Sequence, residues 1–242
     1  MIKQKVEENI EVNVREKIKL DKAYLNYHNI IDKQLPYKFA YLDEWMLKKS
    51  KMLLEEAEQF SENGQPDNIE NKYRVYSRGT IVKVDFGVSL GSEMSQVHFA
   101  IVLNNYDNPN NNVLTVIPLT SKKSKYNLDL GNLVIGKLTN KIKEEIVKLG
   151  LEEEKSSNNL EIRIKARKIK TLLSYYKSSE NNTYACGSLI TTISKTRIFK
   201  PINEYDIIGR AKCSSEVMDM IDKEILGKIT KIDSKKIDLT NK

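Results

Sequence analysis

The chain has little of what builds a stapled, metal-bound or membrane-borne protein. Cys186 and Cys213 are its two cysteines, too few for a disulfide framework and without metal-ligand spacing. His28 and His98 are its two histidines, far apart in sequence, so no zinc site is expected and no metal or cofactor is assigned. Trp45 is the single tryptophan, and the 242 residues contain no internal repeat and no low-complexity tract. No run approaches the roughly 18 apolar residues of a membrane span. The N-terminus, MIKQKVEENIEV, lacks the apolar core of a signal peptide. These absences point to a protein of a reducing, cytoplasmic setting with no membrane association.

What is present suits a folded and very polar chain: 40% of residues are hydrophobic and 30% are charged. The length allows one large domain, or a small core with an additional one. Forty Lys and Arg against 33 Asp and Glu leave a net charge of +7, compatible with a nucleic-acid partner without requiring one.

The stretch from Arg78 to Ser121 organises the rest. It holds three β-rich runs, Thr80–Phe86, Val97–Leu103 and Val113–Leu119. Gly87 and Gly91 punctuate the first gap and the Asn/Asp/Pro-rich Asn104–Asn112 the second, which is the pattern of consecutive antiparallel strands. Both loops are polar and are expected near one another at one end of a small barrel. The first carries Ser92, Glu93 and Gln96 and runs into His98; the third strand ends at Thr120 and Ser121. A histidine, a carboxylate and two hydroxyls therefore sit at strand and loop ends, where sites are commonly built.

Upstream, Met1–Lys33 is charged and weakly periodic, expected as helix in part and interrupted by Pro36. Tyr41–Phe60 repeats its apolar residues at helical steps, through Leu42, Trp45, Met46, Leu53 and Phe60. Ser61–Asp67 reads as a linker, which gives a helical extension over 1–72 and a second domain over 73–242. Downstream, Tyr126–Leu130 alternates as a fourth strand would, and Ile142–Leu149 has helical spacing. Leu160–Tyr176 alternates in its early part and is helical in its later part, with helix the preferred reading. It carries Arg163, Lys165, Arg167, Lys168 and Lys170 against Glu161, either a phosphate-contacting row with Tyr175 and Tyr176 for base stacking, or a solvated basic face. Thr183–Ile193 returns to strand composition. Ser214–Ile225 reads as a helix capped by Ser214 or Ser215.

The combination resembles the MazF/PemK (Kid) family of toxin endoribonucleases. The resemblance lies in "RGTIVKVDFG", "GSEMSQVHFAIVLNN", "LTVIPLTS", "YACGSLITTISKTRI" and "IIGRAKCSSEVMDMIDKEIL". It covers Arg78–Leu130 and Tyr184–Ile229, and leaves about 131–182 as an insertion. It implies an α+β fold with an SH3-like antiparallel barrel and a C-terminal helix. It also implies a homodimer, single-stranded RNA as substrate, and a cognate antitoxin as partner, in a complex with antitoxin that binds DNA. RNA can be cut without metal because its 2′-hydroxyl is an internal nucleophile. The resemblance implies such attack, giving 2′,3′-cyclic phosphate and 5′-hydroxyl ends, with His98 and Thr120 as the working pair and Glu93 as a second base or a loop anchor. Here the chain departs from the pattern: the family has arginine and proline where this sequence has His98 and Phe99. Histidine carries protons better and clamps phosphate less well. Arg78, Lys122 and Arg197 are candidates for the missing charge, and Ser92, Gln96 and Ser121 for further RNA contacts, with Arg163, Arg167 and Lys168 beyond them. Two rival readings follow. A CcdB-like gyrase poison needs a C-terminal Trp-Gly-Ile, whereas this chain ends Asp-Leu-Thr-Asn-Lys. A catalytically silent SH3-like RNA- or protein-binding module is the stronger rival.

Overall fold

In the computed structural model, residues 2–58, 73–148, 160–177 and 182–230 are described. The chain divides into two compact units, Met1–Gln65 and Pro66–Lys242. The first holds helix α1 (Ile2–Asp32), a 3-10 turn at Tyr37–Tyr41 that Pro36 introduces, and helix α2 (Leu42–Ala57). Of α2, only Leu42 is buried. Phe60 and the Ser61–Asp67 linker lie outside the described residues, as do Glu152–Glu154 and Ser156–Asn159.

In the second unit the branched runs form strands as their composition demands. Strand β1 (Ile81–Asp85) pairs antiparallel with β2 (Val97–Val102), which pairs antiparallel with β3 (Val113–Thr120). This meander corrects one expectation. Successive hairpin loops fall at opposite ends of the shared strand, so the 87–96 loop and the 104–112 loop are not neighbours. The 87–96 loop instead shares an end with Thr120.

Strand β3 then changes partners. Its first half pairs with β6 (Thr191–Ser194), and Leu119 and Thr120 pair with β5 (Tyr184–Ala185), which also pairs with β4 (Leu128–Asp129). The whole is one six-stranded sheet. The expected closed barrel is not what the ladders make. The sheet stays open, and β1 meets the chain beyond β6 through the single Val84–Ile198 bridge and a Phe199 amide to Lys83 carbonyl bond of 2.9 Å. The outer edge of β1 is covered further along by Gly209–Ala211, whose backbone bonds Ile81 at 2.8 and 2.9 Å, leaving no bare row for edge-to-edge pairing.

Both faces of the sheet are apolar. Val82, Val84, Ala100, Val102, Leu114 and Val116 form one core with Tyr76, Phe86 and Ile193. Ile81, Ile101, Ile117 and Leu119 face the other core, under three helices. These are α3 (Ile135–Lys148), α4 (Leu160–Lys177) and α5 (Ser215–Ile229). Strands buried on both sides read as continuous apolar runs, and these do. The described parts of the 131–182 segment, helices α3 and α4, therefore belong to the core. Val134, Ile135, Leu138 and Ile142 come from the start of α3 and just before it, and Ala166, Ile169, Leu172 and Tyr176 from α4.

Two buried polar ties fix the periphery. Asp206, at the turn before α5, accepts the Tyr176 hydroxyl at 2.7 Å and the amides of Ile202 and Ile208 at 2.9 and 3.0 Å. At the far end of the sheet, Lys195 and Asp107 form a buried ion pair at 2.8 Å. Asp107 also accepts the Tyr76 amide at 2.8 Å, which ties the 104–112 loop down.

Candidate active site

The site arises where β2 and β3 part. Their ladder stops at Ala100↔Pro118, and beyond it β3 follows β5 instead. The strand ends that splay apart carry His98 and Thr120. Together with Ser121 these residues line one cleft of about 310 Å³, whose remaining walls include Lys83, Phe99, Ile135, Tyr175 and Asn182. That volume lies at the small end of ligand pockets, which run from about 300 to 1,000 Å³.

His98 is half-buried, and the desolvation pushes its pKa below the usual 6.5. Ring bonds to the backbone at Leu119 and at Ser95 pull it up, while the Lys122 charge pulls it further down; the net shift is downward. The imidazole is thus neutral near pH 7. A neutral ring donates from one nitrogen only, so it satisfies one of those two backbone groups and keeps its other nitrogen as an acceptor. The protonated ring satisfies both. The Thr120 hydroxyl oxygen accepts the Lys122 amide at 3.2 Å and keeps its own hydrogen for another acceptor.

The 87–96 loop is pinched shut by the Phe86 amide on the Gln96 carbonyl at 2.8 Å and the Gln96 amide on the Gly87 carbonyl at 2.6 Å. Gln96 takes a left-handed φ of 68° there, a conformation in which side chains are uncommon. Ser92, Glu93 and Gln96 are all exposed. Glu93 does not join His98: it lines a second cleft of about 340 Å³ with Phe86, Met94, Ser188 and Arg197.

Several expected site residues are placed elsewhere. Arg78 bonds the Leu103 carbonyl and Asp222 of α5, at the opposite end of β2 from His98, because a guanidinium is the natural partner for a carboxylate and a strand-end carbonyl there. Arg197 donates to the buried Asp85 carbonyl at 2.7 Å, beside the second cleft. Lys168 pairs with Glu204 at 2.9 Å and Lys165 with Glu161 at 2.6 Å; Arg163 and Arg167 are exposed on α4, and none of the four lines the His98 cleft. Tyr176 is buried and bonded to Asp206, which removes it as a stacking surface. Tyr175 does line the cleft. Ser121 is at the cleft and Lys122 is exposed beside it.

Both thiols are inert: burial raises Cys186 to about 11 and Cys213 to about 12. Among the described residues no group of His, Cys, Asp and Glu is arranged to hold a metal, and no helix is long and apolar enough to cross a membrane.

Sequence reasoning named Tyr175 but missed Lys83, Ile135 and Asn182 as walls of the cleft. Lys83 carried one available signal, a charge in an otherwise apolar strand run.

A cleft at the splayed end of an open antiparallel sheet, backed by helices, defines a small α+β protein with a candidate site at that end. Residues 77–229, more than half of the chain, match the PemK-like, MazF-like toxins of type II toxin–antitoxin systems, and the chain belongs to that family. Toxins of this family are generally endoribonucleases. No curated protein matches the chain.

Proposed function

We propose that this toxin is a sequence-specific, metal-independent endoribonuclease that cuts single-stranded RNA. The observation that carries the reading is the meeting of His98, Thr120 and Ser121 at one cleft. His98, neutral at pH 7, takes the proton of the 2′-hydroxyl as O2′ bonds phosphorus and the P–O5′ bond breaks. The 5′-oxygen takes a proton from water, and the hydroxide left behind takes the proton from His98. The products are a 2′,3′-cyclic phosphate and a 5′-hydroxyl, with no co-reactant consumed. The Thr120 and Ser121 hydroxyls donate to the phosphoryl oxygens as charge gathers on them.

Ser92, Gln96 and Lys122 form the exposed rim that meets flanking nucleotides, with Arg163 and Arg167 as outlying phosphate contacts. Glu93 serves as a loop anchor in this reading. The curled sheet is read as an SH3-like barrel left open at one seam, working as a homodimer in the cytoplasm and neutralised by a cognate antitoxin.

The test is to incubate the purified chain with mixed RNA in EDTA and to map the new ends. Discrete cuts bearing 5′-hydroxyls are expected. Intact RNA that is nonetheless bound would sink the nuclease and leave the rival reading, a silent RNA-binding module, which the presence of His98 in place of the family arginine favours.

A further inference from the structure

Beside His98, Thr120 and Ser121 the cleft has apolar walls, among them Phe99 and Ile135. Phe99 is a firm wall, because its ring stacks on that of Tyr176 with centres 6.0 Å apart and planes 28° apart. Tyr176 is itself buried and anchored through its hydroxyl on Asp206 at 2.7 Å. Among the described residues of the lining, one side chain carries an amide: Asn182, which is exposed. Main-chain bonds set its place. Thr120 pairs with Tyr184 of β5, and Asn182 stands two residues before Tyr184. Its neighbour Thr183 donates its amide to the Gly131 carbonyl at 2.8 Å and accepts the Leu130 amide at 2.9 Å. A side-chain amide presents an acceptor oxygen beside two donor hydrogens. Apolar walls with a few well-placed polar groups are what orient a ligand and discriminate between ligands.

We propose that Asn182 reads the edge of a nucleobase seated in the cleft against Phe99, and so sets the base preference beside the scissile phosphate. The proposal rests on the nuclease reading for the position of the cut alone; recognition of the base stands without it. Sequence-specific proteins read single-stranded RNA by turning out a base, covering its face and hydrogen-bonding its edge. Every base has a π-face, so a wall such as Phe99 accepts any of them. The edges differ in their order of donors and acceptors, so discrimination falls to the group that meets the edge. The Asn182 amide answers an edge that sets an acceptor beside a donor. The Thr120 and Ser121 hydroxyls rotate to give or take a bond, and so read an edge less strictly. Asn182 makes and breaks no covalent bond, so the bond changes are those already given.

The experiment uses the full chain and its Asn182→Ala and Asn182→Asp variants. Each is equilibrated with a random-sequence 2′-O-methyl RNA library, which has no nucleophile and is not cut, and the bound fraction is sequenced. Dissociation constants are measured for the preferred sequence and its single-base changes. Cut sites in ordinary RNA are mapped in parallel, and thermal midpoints report the fold. The unaltered chain is expected to favour one base at one position by about tenfold or more. Asn182→Ala should lose that preference, weaken the preferred sequence by the same factor and leave the disfavoured sequences within a few-fold. Its thermal midpoint should hold, since the side chain is exposed. Asn182→Asp, whose carboxylate only accepts, should raise the preference for bases with an amino group over uracil. A residue that merely supported the fold would weaken every sequence alike. Retention of the base preference by Asn182→Ala overturns the proposal, as does an equal loss across all sequences, or an unaltered chain that binds every sequence alike. If the methylated library goes unbound while ordinary RNA is cut, the cut-site pattern of Asn182→Ala decides in the same way. An unaltered chain that binds with preference but does not cut sinks the nuclease alone, and the variants still decide Asn182. An unaltered chain that neither binds nor cuts RNA overturns both.

Discussion

Two opposing influences act on the His98 imidazole, and their balance sets when it can work. Burial and the Lys122 charge favour the neutral ring, while the Leu119 and Ser95 backbone groups favour the charged one; the first pair prevails and the pKa falls below 6.5. A base must be unprotonated, so the acid limb of the cleavage pH profile should lie below pH 6.5 rather than at it. His98→Ala should lose about 10²–10⁴-fold in rate and lose that limb. Stability carries the same sign. Below pH 6.5 the unfolded chain takes up this proton first, so the fold loses stability as pH falls through the window between the two pKa values. His98→Gln, which cannot titrate, should lose less stability over that window. Cleavage rates and denaturation midpoints between pH 5 and 8 check both claims. A limb centred above 6.5 would mean that another group is the base.

At the scale of elements, helix α4 shows what a sequence can and cannot disclose. Ala166, Ile169, Leu172 and Tyr176 recur at helical steps and all are buried, so its apolar face was legible from spacing alone. The early alternation of Leu160, Ile162 and Ile164 mimicked a strand, but in the helix only Ile162 packs against the core, while Leu160 and Ile164 are exposed. The start of α3 was not legible: Gly136, Thr139 and Asn140 weaken the helical signal, yet Leu138 and Ile142 bury completely. His98 and Thr120 could be read as strand ends from the loops that flank them. Lys83 and Tyr175 could not be joined, because their meeting depends on how the insertion lies across β1, a fact of tertiary packing. If α4 is structural core, Leu172→Ala should destabilise the second unit by about 2–5 kcal/mol. Tyr176→Phe, which takes one donor from the buried Asp206, should cost about 1–3 kcal/mol. Urea denaturation checks both. Losses under about 0.5 kcal/mol would show that the insertion is a surface attachment.

On the scale of the whole molecule, the unit Met1–Gln65 poses the main question. The Pro66–Lys242 unit has two cores of its own and contains every residue of the cleft. Among the described residues, the first unit has no comparable store of buried side chains. Leu47, Leu53 and Leu54 of α2 are more than half exposed, as are Val14, Leu20, Tyr24 and Leu25 of α1. Trp45 and Met46 are half-buried. Rows of this kind mark an interface or an aggregation hazard, and isolated helices are marginal in water. We expect a second copy of the chain to cover them, so that the extension strengthens a dimer. Residues 73–242 alone should then still cut RNA, since the cleft is intact, but with a lower thermal midpoint, poorer solubility and a weaker dimer. Light scattering, thermal scans and cleavage assays on both chains make the comparison. An unchanged midpoint and an unchanged dimer, together with loss of antitoxin binding, would assign the extension to partner recognition. Loss of cleavage by a folded, dimeric 73–242 would instead mean that the extension reaches the RNA.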